Sequence, residues 1–196
     1  MIYIVRHGQT DWNLERRLQG QKDVPLNETG RNEATICRNQ LTSIKVDEII
    51  SSDLSRAKET AEIINKSRSL PIKFDSRLRE LNCGNIEGKV IDTVPWHSFI
   101  CNPNEFHSEP MIDLYNRLKS FFNEIDASKN TVTVTHTGVV KMLAYLVNNP
   151  QYNENIFEQK ALQFKVKNGD IFMWDKKTKL QLLVNEALKK SNSLEY

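Results

Sequence analysis

Cysteine is scarce in this chain. Only three occur among 196 residues, at the irregularly spaced positions Cys37, Cys83 and Cys101. An odd and sparse set excludes a disulfide framework, and the irregular spacing does not fit a zinc ribbon. Because sparse, unpaired cysteines are typical of proteins from reducing compartments, we expect a cytoplasmic location.

An excess of charge of one sign is also missing. Lys and Arg number 27 against 25 Asp and Glu, for a net charge of +2, which is too small to indicate general binding to nucleic acid or to a membrane surface. No stretch approaches the ~18 consecutive apolar residues of a membrane span, and the N-terminus lacks the basic and apolar segments of an export signal. No Walker A motif occurs, which argues against a P-loop nucleotide enzyme.

What the chain does contain is an alternation of short apolar runs with helical patterns, over a length that favours one domain, residues 1–196. Strands are predicted near 2–5, 48–51, 71–75, 131–135, 171–174 and 180–184, and helices near 27–41, from 53, near 111–125 and near 138–147. The alternation predicts an α/β fold of three layers, α/β/α, with a mostly parallel, mixed central sheet.

Three further features bear on the surroundings of that sheet. The Asn168-Gly169 pair between 161–166 and 171–174 predicts a β-hairpin. The apolar stripe of helix 111–125 is expected to be core. An irregular cap segment is expected at about 89–109, where Trp96, Phe99 and Phe106 would shape a site entrance.

Polar side chains follow three of the predicted strands. Arg6 and His7 end the first strand, Arg56 follows the second within a Ser-rich turn, and His136 ends the strand 131–135. Because the carboxyl ends of parallel strands meet at one edge of a sheet and ligands bind beyond that edge, we expect these four side chains to converge.

The converging groups favour an anion. Arginine forks match phosphate oxygens, and two helices are expected to point their N-termini at the same place, where N–H groups and the helix dipole attract negative charge. Gly8 and Gly138 would let the backbone approach the ligand closely. The pattern therefore predicts a bound phosphoryl group, whose charge Arg6, Arg56 and a protonated His136 would offset.

Chemistry at such a site also needs a carboxylate. The segment 77–88 supplies Glu80 and Glu87, which both lie after a predicted strand and near glycines. Either glutamate could serve as the acid and base, and Glu87 could instead pair with an arginine or be solvated.

Four motifs occur in order along the chain: RHGQTDWN from Arg6, SSDLSRAKETA from Ser51, LRELNCGNIEG from Leu78 and VTHTG from Val134. Together they resemble the histidine phosphatase superfamily, the phosphoglycerate-mutase-like proteins, over residues 1–147. The resemblance implies the phosphoglycerate-mutase-like fold and a mechanism through phosphohistidine.

The resemblance also implies roles for individual residues. His7 would be the nucleophile, and Arg6, Arg56 and His136 would form the phosphate pocket. Glu80 would donate and accept the proton. Further substrate contacts are implied for three loop residues, Asn13, Gln19 and Gly20. The Thr137 hydroxyl would either donate to phosphate or cap its helix. No metal or other cofactor is required, because the arginines already supply positive charge.

The segment 89–109 decides between the activities that this family implies. The resemblance implies that mutases carry a longer insertion there, which closes the site against water. Here only residues 89–109 are available, so water can reach the site, and we expect a metal-independent phosphomonoesterase acting on a small phosphorylated metabolite. We also expect that a phosphate or sulfate ion can occupy the pocket, and that neither nucleic acid nor a membrane is a partner. Mutase-type phosphoryl transfer and a non-catalytic phosphate-binding module are the alternatives, and a homodimer is left open.

Overall fold

A computed structural model describes residues 1–149, 151–154, 157, 164–177 and 181–183 of the chain. These residues form one six-stranded sheet in the order β3-β2-β4-β1-β5-β6. The strands are β1 (Ile2–Arg6), β2 (Glu48–Ser51), β3 (Ile72–Phe74), β4 (Thr131–Thr135), β5 (Ile171–Trp174) and β6 (Gln181–Leu182). The first four are parallel to one another, β5 is antiparallel to β1, and β6 is antiparallel to β5. The prediction of a mostly parallel, mixed sheet is confirmed.

Helices cover both faces of this sheet. They are α1 (Asp11–Leu14), α2 (Glu28–Gln40), α3 (Ser55–Asn65), α4 (Trp96–Cys101), α5 (Pro103–Phe106), α6 (Met111–Glu124) and α7 (Thr137–Leu146). One core joins Tyr3 and Val5 of β1 to α2 and α3, and a second joins Ile2 and Ile4 to α6 and α7. Alternate residues of the central strand β1 are thus buried on opposite faces, which confirms the three-layer α/β/α prediction. No helix among the described residues has the length and apolar character to cross a membrane.

The cap segment differs from the sequence expectation. Residues 89–109 are not simply irregular, because they contain α4, α5 and a 3₁₀ turn at Ile91–Thr93. Phe99 is buried and packs edge-on against Trp96 at 5.9 Å and against Phe106 at 5.6 Å between ring centroids. This small aromatic cluster explains how such a short segment orders two helical turns.

The predicted hairpin is wrong over the part that the structure describes. Residues 164–166 carry no strand, and Asn168-Gly169 forms a turn that leads into β5, which pairs with β1 instead. Gly169 adopts φ +72°, the conformation that gave the pair its turn signal. Residues 161–163 lie outside the described residues, as do 180 and 184 of the last predicted strand, whose centre is β6.

Candidate active site

The parallel pairing of β1 with β4 brings the two histidines side by side. Arg6 lies opposite Thr135, and the N–H of His7 donates to the carbonyl of Thr135 at 2.9 Å. His7 and His136 are therefore the next residues of adjacent strands, with ring centroids 5.1 Å apart and planes inclined at 59°. Two motifs that are distant in the sequence are adjacent here because the register of β1 against β4 aligns the ends of the two strands.

His7 has one ring nitrogen committed to the backbone. Its Nδ1 lies 2.6 Å from the carbonyl oxygen of Gly8, and since a carbonyl only accepts, Nδ1 donates and carries the proton. Burial lowers the pKa of His7 well below its usual value, and the nearby charges of Arg56 and Arg6 lower it further. The imidazole is therefore neutral, and its Nε2 keeps a lone pair for reaction.

His136 is also neutral before a phosphoryl group binds, and its protonation beside bound phosphate stays a prediction. Burial, then the charge of Arg56, lowers its pKa well below the usual value. Its Nε2 lies 2.8 Å from the hydroxyl of Ser52, which also accepts a bond from the N–H of Leu54 at 3.4 Å. That hydroxyl still has a proton to give, so the arrangement favours donation from Ser52 to Nε2. The proton of His136 then sits on Nδ1, a buried atom without a hydrogen-bond partner among the described residues.

The two arginines present buried N–H groups to the same place. Arg56 donates from Nη2 to the carbonyl of Gly20 at 2.7 Å and from Nη1 to that of Lys22 at 2.8 Å. Arg6 donates from Nη1 to the carbonyl of Val166 at 2.8 Å. In both side chains Nε is buried and has no partner within the described part of the chain. Burial lowers the pKa of Arg56 and lowers that of Arg6 to about 10, so both remain cations at neutral pH and can hold an anion.

Glu80 is held at both of its carboxylate oxygens. Oε1 accepts from the N–H of Leu81 at 2.9 Å, and Oε2 accepts from the N–H of Gly138 at 3.0 Å. Arg117 donates to the Glu80 carbonyl at 3.2 Å and to the carbonyl of Arg77, and forms an ion pair with Glu109. The carboxylate is thus fixed at the edge of the site by α6 and α7 together.

Glu87 connects two loops near the site. Its Oε1 accepts from the N–H of Gln21 at 2.8 Å and from that of Cys83 at 3.1 Å. It therefore ties the loop around Gly20 to the loop that follows Glu80. It neither pairs with an arginine among the bonds of the described residues nor lines the cavity.

The other predicted contact residues all line one cavity with His7, the arginines and Glu80. Asn13 accepts at Oδ1 from the N–H of Thr10 at 3.1 Å and from Asn168 at 3.1 Å, so its amide NH₂ is left to donate. Gln19 presents a buried Oε1 without a partner among the described residues. Gly20 has φ +52° and directs its carbonyl to Arg56. Thr137 begins α7 and lines the cavity.

The structure gives the surroundings of two glycines and two helix N-termini near the site. The missing Cβ of Gly8 would lie 2.2 Å from the carbonyl oxygen of Gly30, and that of Gly138 would lie 2.3 Å from Oε1 of Glu80. Gly8 therefore makes room for the Gly30 carbonyl, whereas Gly138 makes room for the Glu80 carboxylate and also lines the cavity. The N-terminus of α7 lies at the site, where Thr137 and Gly138 line the cavity, while at the start of α3 the N–H of Ser55 donates to Asp23 at 2.7 Å.

The cavity has a volume of about 500 Å³ and extends well beyond the charged groups. It reaches the surface at Arg17, whose side chain is 44% exposed. Its outer wall is formed by apolar side chains, namely Leu18, Ile91, Trp96, Ile100, Met111, Leu114 and Phe157. Phe99 and Phe106 are not on its lining; Phe99 packs against Trp96, and Phe106 packs against Phe99.

Sequence reasoning missed several lining residues, among them Met111, Leu114 and Lys141. Met111 and Leu114 belong to the stripe expected to be core, and they are buried, yet they also face the cavity. Lys141 lies one turn after Thr137 on α7, and this i, i+4 spacing could have placed it beside the site. Burial lowers the pKa of Lys141, while the charge of Glu80 opposes that shift. Within the described residues, no group of three His, Cys, Asp or Glu side chains could hold a metal ion.

Comparison with known proteins assigns this arrangement to a family. The model of the histidine phosphatase superfamily (branch 1) matches residues 2–165. The chain belongs to the histidine phosphatase superfamily. The resemblance inferred from the four motifs is thereby confirmed.

The similar proteins include some named as mutases and one named as a phosphatase. The probable phosphoglycerate mutase GpmB of Salmonella choleraesuis is 50% identical over 93 residues, which are 47% of this chain and 43% of that protein. The match thus spans less than half the length of this curated relative. A mycobacterial glucosyl-3-phosphoglycerate phosphatase, solved with VO3, aligns at 27% identity and a TM-score of 0.73 over 87% of this chain and 90% of that chain. The phosphoglycerate mutase of Thermus thermophilus aligns at 25% identity and a TM-score of 0.71 over 93% of this chain and 96% of that chain.

Proposed function

We propose that this protein is a metal-independent phosphomonoesterase that hydrolyses a small phosphorylated metabolite through a phosphohistidine on His7. One observation carries the proposal: a neutral imidazole with a free Nε2 and a fixed carboxylate, Glu80, line the same solvent-reaching cavity. A nucleophile and an acid–base group are the parts that two-step phosphoryl transfer to water requires.

The first step is attack of His7 Nε2 on phosphorus. The bond from Nδ1 to the Gly8 carbonyl orients the ring and stabilises the positive charge that builds as Nε2 becomes phosphorylated. Arg6 and Arg56 line the cavity with His7 and are the cationic donors for the phosphoryl oxygens, while His136, which is fully buried and is not on the lining, lies beside His7 with its ring centroid 5.1 Å away. Because these donors are already in place, little reorganisation is needed as charge develops.

Glu80 serves the two proton transfers. In its acid form it protonates the departing alkoxide, and the resulting carboxylate then takes a proton from the water that attacks phosphohistidine. Inorganic phosphate leaves, and His7 and Glu80 return to their starting protonation states. The bonds from Leu81 and Gly138 keep the carboxyl group in one position through both steps.

Water access favours hydrolysis over transfer. The cavity opens at Arg17, and within the described residues the cap segment 89–109 places two short helices, α4 and α5, over it. A mutase has to keep water from its phosphoenzyme. The name of the Salmonella relative makes mutase activity the second candidate, and a phosphate-binding module would use the arginines but have no need of Glu80.

The test is to incubate the protein with a ³²P-labelled monoester in EDTA, quench it, and treat equal samples with acid and with base. We expect label that is lost in acid and kept in base, on the wild type but not on His7→Gln, because phosphohistidine is a phosphoramidate. Glu87→Gln is the matched control that leaves His7 intact. Acid-stable label, or activity that disappears in EDTA, would overturn the proposal, and 2-phosphoglycerate formed from 3-phosphoglycerate would favour the mutase.

A further inference from the structure

The cavity is much larger than a phosphoryl group requires. Its volume of about 500 Å³ lies in the range of sites that enclose most of a drug-sized molecule. The charged groups that face phosphate occupy only one end. The rest of the space has to be filled by the leaving group or by water.

The described residues of the outer wall offer that leaving group little polar contact. Trp96 and Ile100 of the cap face Met111 and Leu114 of α6 across this space. Of the cations on the lining, Arg17 is paired with Glu15 at 2.5 Å and bonded to the carbonyl of Gly88 at 3.1 Å, and Lys141 is attracted by Glu80. A hydroxyl buried here without a partner would weaken binding by about tenfold or more.

The wall is also rigid. Trp96 is braced by Phe99, which is 1% exposed, and Met111 and Leu114 belong to the first turn of a 14-residue helix packed in the core. Ile100 is likewise buried. An apolar surface that is held in place by core packing does not have to be ordered when a ligand binds, so its contacts contribute more fully to affinity.

We propose that the substrate is a monoester of an apolar alkyl or aryl alcohol, whose hydrocarbon part seats against Trp96, Ile100, Met111 and Leu114. This inference rests on the proposed phosphatase function, since it assigns the leaving group of that reaction. Esters of polyhydroxylated or carboxylated alcohols, such as sugar phosphates and phosphoglycerates, would bind more weakly because the wall leaves their polar groups unpaired.

Binding of non-hydrolysable n-alkylphosphonates, from methyl to hexyl, tests the inference by calorimetry without requiring turnover. The dissociation constant should fall about three- to fourfold per methylene until the wall is covered. Propylphosphonate should bind at least about tenfold more tightly than 2,3-dihydroxypropylphosphonate, which has the same carbon chain. Dissociation constants that do not depend on chain length, or tighter binding of the dihydroxy compound, would overturn the inference.

Variants locate the effect on the wall. Met111→Ala should flatten the dependence on chain length while leaving methylphosphonate binding unchanged, and Ile112→Ala, the next residue on α6 and 40% exposed, should not alter it. Trp96→Ala, which is not fully buried, repeats the test if Met111→Ala unfolds. A dependence that survives both cavity variants contradicts the assignment. Hydrolysis of the corresponding phosphate esters is scored separately, so loss of the proposed function would show as binding without phosphate release.

Discussion

The two site histidines should make folding of this protein sensitive to mild acid. His7 is 3% exposed and His136 is 0% exposed, and burial holds the pKa of each well below the usual value. In the unfolded chain each histidine regains a pKa of about 6.5. The unfolded state therefore binds protons that the folded state does not, so stability falls as the pH drops below about 6.5 and continues to fall until the folded pKa is reached.

The size of this effect follows from the linkage relation. One pH unit below the unfolded pKa, a histidine that stays neutral in the fold reduces the free energy of unfolding by about 1.4 kcal/mol, and the pair by about 2.8 kcal/mol. Above about pH 7.5 the same groups contribute no pH dependence, because they are neutral in both states.

Urea unfolding at pH 7.5 and pH 5.5 measures this difference. The buffer must contain no phosphate, because an anion bound to the folded state would stabilise it. In His7→Gln and in His136→Gln, the change in unfolding free energy between the two pH values should each be about 1.4 kcal/mol smaller than in the wild type. All other titrating groups are common to the three proteins and cancel. His97→Gln, at an exposed position of α4, is the control.

The result distinguishes a neutral from a protonated His136 in the folded protein. If His136→Gln retains the full wild-type pH difference, or shows a larger one, then His136 takes up a proton in the folded protein above pH 5.5 and our assignment of a neutral Nδ1 donor is wrong. The loss of overall stability in each variant does not affect this reading, because the measurement compares one protein with itself at two pH values.

Three further outcomes test the site. Glu80→Gln should slow hydrolysis of alkyl phosphates by roughly 10²–10⁴-fold and affect nitrophenol release from p-nitrophenyl phosphate far less in burst measurements, whereas Glu87→Gln should show no dependence on the leaving group. Arg56→Lys should lower kcat/KM by about 10²-fold or more and weaken competitive inhibition by vanadate; unchanged inhibition would remove Arg56 from the phosphate site. With 3-phosphoglycerate and its 2,3-bisphosphate primer, 2-phosphoglycerate should not accumulate in an NMR time course, and rapid isomerisation would contradict a phosphatase.

The convergence of the site was predictable because it depends on sheet topology alone. Arg6, His7 and His136 each stand at the end of a β-branched run, and parallel strands bring such ends to one edge. Arg56 could be placed there by its position just after β2. For these residues, backbone geometry decides the location whatever the rest of the protein does.

Other features depend on packing between distant segments, which local patterns do not report. The neutral state of His136 follows from complete burial and from the hydroxyl of Ser52, neither of which periodicity reveals. The reason for Gly138 is the carboxylate of Glu80, brought from another part of the chain. The cap helices arise from a local cluster around Phe99, where tertiary contacts decided the structure of a segment with weak helical pattern.

The pairing of β1 with β4 has a consequence for how the protein becomes active. β1 begins at Ile2, and its parallel neighbour β4 ends at Thr135. The two strands that precede the histidines therefore lie far apart in the sequence. Contacts between such distant parts of a chain form late, because a long loop must close before they contribute. During synthesis, His7 and His136 can become adjacent only after β4 has left the ribosome. Recovery of activity after dilution from urea therefore reports the closure of this long-range pair rather than the formation of helices.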